Sequence, residues 1–107
     1  MTDPEPIDPQ RIHIWVTGHV QNVGFRAFAQ HAGVLFGLTG WVRNVGYDTV
    51  EAVAEGPHDR LEEFAEALQK GPLGGRVENA RIEWETAHGE FKDFGVKNSA
   101  LFKTRYK

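Results

Sequence analysis

At 107 residues the chain has the length of one ordinary domain, and 40% apolar residues, with seven Phe and three Trp, supply enough hydrophobic material to order its backbone. It has no cysteine, which excludes disulfides, thiolate catalysis, zinc–cysteine sites and iron–sulfur clusters. The net charge of −3 offers no broad basic surface for nucleic acid, and nothing approaches the roughly 18 consecutive apolar residues of a membrane span.

Residues 1–10 carry Asp3, Glu5 and Asp8 among prolines, where a secretory signal would be basic and then apolar. This start predicts a soluble, cytoplasmic chain with a flexible acidic N-terminal tail. Residues 11–17 alternate, Ile12, Ile14 and Val16 against His13, Trp15 and Thr17, the period of a half-buried strand. A Gly-bounded loop over 18–24 follows. From Phe25 the apolar residues Phe28, Ala29, Ala32 and Phe36 recur at the spacing of one helical face, which Gly37 ends.

Residues 39–45 and 49–55 read as two strands of a hairpin joined by Gly46, Tyr47 and Asp48. A second helix opens with Pro57 at its first position, buries Leu61, Phe64, Ala65 and Leu68, and stops at Gly71 and Pro72. Residues 77–86 alternate as a further strand, and 91–96 offer a short last one. Residues 98–107 form a basic extension through Lys103, Arg105 and Lys107, expected to be solvated. The order βαββαβ, with one extra strand-like piece in the final third, predicts an α+β ferredoxin-like sandwich. In it an antiparallel sheet carries two helices on one face and leaves the other open to solvent.

Fold alone does not assign chemistry. In the loop from Gly18 to Arg26, two glycines and Asn22 tolerate left-handed backbone, so successive N–H groups can point at one spot just before a helix N-terminus. Arg26 falls in the first helical turn, where a cation is unfavourable unless an anion is bound beside it. An anion site and a plain connection with a solvated Arg fit this loop equally well. It is neither a Walker A loop nor a dinucleotide fingerprint, and the single serine, Ser99, argues against a serine hydrolase. In the second strand, parity puts Asn44 on the face opposite Trp41 and Arg43. There its amide can orient a water or cap the hairpin.

Together, Gly18-His19-Val20-Gln21-Asn22-Val23-Gly24-Phe25-Arg26 and Gly40-Trp41-Val42-Arg43-Asn44 resemble the two signatures of the acylphosphatase family, G-x-V-Q-G-V-x-F-R and G-x-V-x-N. The resemblance covers residues 11–97. It includes a third strand at 50–56, a turn at Lys70-Gly71-Pro72 and a closing F-x-x-F strand from Phe91 to Val96. It implies metal-independent hydrolysis of small acyl phosphates to a carboxylate and inorganic phosphate, without cofactor and by a monomer. Arg26 and the loop residues His19, Val20, Gln21, Asn22, Val23, Gly24 and Phe25 would hold the phosphate, and Asn44 would orient the attacking water. The pattern departs at Asn22, where the family has Gly, and the hairpin turn lacks the family's usual Asp-Gly.

The absence of a metal agrees with the residues themselves. His13, His19, His31, His58 and His88 are scattered, without helical pairing or a carboxylate cluster for a hard cation. The rival reading is a noncatalytic phosphate- or anion-binding regulatory domain on the same fold. An aromatic platform of Trp15, Trp41 and Trp84 for single-stranded RNA is a more distant one, since no RNP-like octapeptide accompanies it.

Overall fold

The structure is a computed structural model and describes residues 8–101; residues 1–7 and 102–107, most of the two expected tails, lie outside the described residues. The alternation at the start of the chain becomes β1 (Gln10–His19), with Ile12, Ile14 and Val16 fully buried on one face. The helix α1 (Phe25–Leu35) and the hairpin strands β2 (Thr39–Val45) and β3 (Thr49–Gly56) follow as the periodicity predicts. Next come α2 (His58–Lys70), β4 (Arg76–Thr86) and β5 (Phe94–Val96). The sheet order is β4-β1-β3-β2-β5, so β3 is central and every residue from Thr49 to Glu55 is buried.

Four strands are antiparallel, as expected, but β5 runs parallel to β2, pairing Gly40 with Phe94 and Val42 with Val96. The sheet is therefore mixed at this edge, and only the last half of the piece read at 91–96 is strand. Its place is set by packing: a Cβ added at Gly33 of α1 would lie 2.4 Å from the Phe94 ring, so only glycine lets the helix meet β5 this closely.

Both helices cover one face. Leu61, Phe64, Ala65 and Leu68 of α2 are all buried, and the larger three each contribute about 1.5–3 kcal/mol by leaving water. Pro57 caps α2 rather than beginning it, and having no polar side chain it leaves the His58 N–H to the Asp8 carboxylate, 2.8 Å away. Among the described residues no helix is long and apolar enough to cross a membrane.

The other face is open only in part, at Arg81 and Glu83 of β4. Arg11, His13, Trp41, Glu51, Val53 and Glu55 lie on it and are all buried. Residues 87–91 cross it: the His88 and Gly89 N–H groups donate to Glu55 at 2.8 and 2.9 Å, Glu90 pairs with Arg11, and the Phe91 ring lies 5.1 Å from the Arg11 guanidinium. Beside them, the Lys97 ammonium stands 4.5 Å from the Trp41 ring. The three tryptophans form no platform. Trp84 pairs in register with core Ile12 and stacks on His58 of α2, on the helical face.

Candidate active site

The loop leaving β1 and the C-terminal end of β2 meet at the same end of the sheet, because Thr17 and Val45 both pair with Thr49. Within the loop Asn22 has φ 62° and Gly24 φ 76°, so the curl expected of glycine is kept by Asn at the first position. Gly24 precedes α1 without a side-chain cap, and the first turn of α1 holds no acidic residue.

The backbone donors are unusual in their disposition. Gly18 N–H bonds to the Asp48 carbonyl, and Phe28 N–H is the first to bond back within α1, to Gly24, at 3.0 Å each. Between them, from Val20 to Ala27, no backbone N–H finds an acceptor among the described residues. Left-handed turns followed by a helix N-terminus thus present a run of donors and the positive end of a helix dipole to one place.

That place is a solvent-open cleft of about 340 Å³ lined by Val20, Asn22, Gly24, Phe25 and Arg26 from the loop, with Asn44 from β2. Asn44 is in register with core Val50, which places it on the helical face, opposite Trp41 and Arg43 as its parity requires. Arg26 is half-buried and makes no ion pair among the described residues. The cleft therefore combines an uncompensated cation, unused N–H donors and a neutral amide, a constellation suited to a tetrahedral oxyanion and a water.

His19, Gln21 and Val23 do not line it. His19 ends β1 in register with Arg76, and Val23 packs against the core. The Gln21 amide donates to the carbonyls of Thr49, Gly46 and Val45, at 2.9, 3.2 and 3.3 Å, clamping the loop to the β2–β3 turn. The cleft also takes in Ala27, Gln30 and Val96. Gln30 lies one helical turn beyond Arg26, a spacing that could have flagged it, and its amide donates to the Phe94 carbonyl at 3.0 Å. Val96 joins through the parallel pairing of β5, which has no signal in the sequence.

Two carboxylates held below their ordinary range, Glu51 and Glu55, lie on the opposite face. Burial alone would raise the Glu51 carboxyl, but hydrogen bonds from His13 and Arg43, each at 2.7 Å, hold it below the ordinary carboxylate range. Glu55 is likewise opposed by burial and held low by the His88 N–H, Arg11 and the Gly89 N–H. On that face His13, Glu83 and Glu85 bring potential metal-ligand atoms within 4.8 Å of one another. The grouping arises from the register of β1 with β4, and His13 is already engaged by Glu51 and Glu83 by Arg81.

A family model described as Acylphosphatase matches residues 12–96. An acylphosphatase of Syntrophotalea carbinolica is 45% identical over 89 residues, spanning 83% of this chain and 97% of that protein. The crystal structure of acylphosphatase from Bacillus subtilis is similar with a TM-score of 0.79 at 33% identity, covering 82% of this chain and 98% of its own. An acylphosphatase structure from Coxiella burnetii gives 0.78 at 36% identity, over 83% and 93%. These likenesses decide for an enzyme over a noncatalytic anion-binding domain. The chain belongs to the acylphosphatase family, and its activity is that of an acylphosphatase.

Proposed function

We propose that the cleft holds the phosphoryl group of a small acyl phosphate, bound by Arg26 and the unused backbone N–H groups of the lining residues Val20, Asn22, Gly24, Phe25 and Ala27, and that Asn44 orients the water that attacks it. The observation that carries this reading is the convergence of unused N–H donors, Arg26 and Asn44 in one cleft. Water, held through the Asn44 side-chain carbonyl, adds to phosphorus opposite the acyl oxygen. The bond between phosphorus and that oxygen breaks, and the carboxylate leaves with the electron pair. The water's proton passes to a phosphoryl oxygen, so the products are a carboxylate and inorganic phosphate. The leaving group is already a weak base, so the protein's share is positioning and charge stabilisation, without a resident metal. Arg26 and Asn44 come from one chain, which lets a monomer complete the site.

The test is hydrolysis of benzoyl phosphate with a metal chelator present. Arg26→Ala is expected to lower kcat/KM by about three orders of magnitude, on the scale of losing a fixed charge donor to the transition state. Asn44→Ala is expected to lower kcat about a hundredfold or more while inorganic phosphate still inhibits at its usual concentration. Wild-type turnover in either folded variant, or loss of activity to the chelator, would overturn the assignment.

A further inference from the structure

Asn44 is the penultimate residue of β2, yet the pairing of β5 with β2 covers only Gly40, Trp41 and Val42. On that side the end of β2 would be an unpaired edge, where backbone order is least secure. The chain beyond β5 closes it. Lys97 N–H donates to the Val42 carbonyl at 2.8 Å, Ala100 N–H to the Asn44 carbonyl at 2.9 Å, and Gly46 N–H to the Ala100 carbonyl at 2.8 Å. Val45 and Ala100 form a parallel bridge.

The register changes on the way. Val42 faces Val96, and three residues later Val45 faces Ala100, so the outer segment takes one residue more than β2 between the two pairings. Such a bulge re-aims a strand, and here it brings the Ala100 N–H onto Asn44 itself. The segment thus holds Asn44 by its main chain while its side chain stays in the cleft. It lies beyond residues 12–96, the span matched by the family model.

We infer that residues 97–101 are a positioning element for Asn44, setting the orientation of the attacking water through the hydrogen bond from Ala100 to the Asn44 carbonyl; this rests on the role of Asn44 proposed above. Arg26 makes no hydrogen bond or ion pair with this segment among the described residues, and the loop donors reach it only at second hand, through the Gln21 amide on the Val45 and Gly46 carbonyls, whereas Asn44 is bonded to it directly. The element therefore acts on kcat more than on KM.

In the full chain, Ala100→Pro removes the N–H and is expected to lower kcat for benzoyl phosphate about tenfold, with KM and inhibition by inorganic phosphate changed less than about twofold. Ala100→Gly keeps the N–H and is expected to restore kcat to within about twofold of wild type. A purely structural brace would lower the melting temperature and leave kcat unchanged well below it. In the wild type, hydrogen exchange of the Ala100 amide is expected to be as slow as that of Lys97. Unchanged kcat in Ala100→Pro, or exchange at the solvent rate at Ala100, overturns the inference. Wild-type activity in Asn44→Ala would instead overturn the reading of Asn44 on which it rests.

Discussion

The two faces of the sheet handle arginine in opposite ways. On the helix-free face Arg11 is closed by Glu55 and Glu90, and Arg43 by Glu51, at 2.7 Å for the Glu55 and Glu51 contacts. At the loop end Arg26 has no carboxylate among the described residues and sits beside N–H groups that also lack acceptors. A buried charge with its partner supplied is complete within the protein. A half-buried charge grouped with idle donors is complete only when a ligand arrives. The contrast separates a cation satisfied within the protein from one left for a ligand, without reference to sequence pattern.

The largest effect expected from breaking this contrast is the activity loss in Arg26→Ala, which should leave the melting temperature within a few degrees of wild type. The opposite outcome is expected from Glu51→Ala. It removes the carboxylate that His13 and Arg43 share, and loss of one member of a buried ionic group costs about 3 kcal/mol. Urea unfolding should show it as a lower midpoint, while kcat per folded molecule is retained. A large loss of kcat there would mean that the two faces are coupled.

Acid sharpens the comparison further. Because the folded-state carboxyl of Glu55 is held below its ordinary 4.5, its stabilising share is complete above that value. It is lost as pH falls through the lowered native value. Thermal melts should therefore fall to lower temperature below about pH 4.5 in the wild type. They should drop less in Glu55→Gln, whose melting temperature is lower at neutral pH. An equal acid slope in the two proteins would remove Glu55 from the account. The smallest effect is expected at Asn22→Gly. Asn already adopts φ 62°, so restoring glycine should change stability by about 1 kcal/mol or less and kcat/KM by no more than a few-fold.

What could be read from the sequence was local. The period of two in β1 and the period of 3.6 in α1 and α2 placed these elements within one or two residues, and Gly71 ended α2 where expected. The curl of the loop, the first-turn place of Arg26 and the face taken by Asn44 were legible because each is written within a few residues, while the roles given to Arg26 and Asn44 came from the family resemblance. The largely closed face was not legible. Arg11, His13, Glu51 and Glu55 alternate with apolar residues and so read as solvent-facing, and Glu51 meets His13 across 38 residues of chain. The direction of β5 was equally hidden, since three residues carry no period and Phe94 finds its place against Gly33. The family resemblance sets Gln21 among the phosphate-holding loop residues but says nothing of its side chain. Only the position of the β2–β3 turn reveals that its amide is occupied by main-chain carbonyls.

The Lys97 ammonium over the buried Trp41 ring has an optical consequence. Lys97 is where the chain leaves β5 to pair beside Asn44, so one of the two cations over this indole, the other being Arg43 at 5.0 Å, rides on the segment that we infer positions Asn44. Undocking of that segment would carry the charge away and expose the ring, shifting its emission to longer wavelength. With Trp15 and Trp84 replaced by Phe to leave a single emitter, Trp41 is thus a fluorescent gauge of docking, readable during turnover without a label.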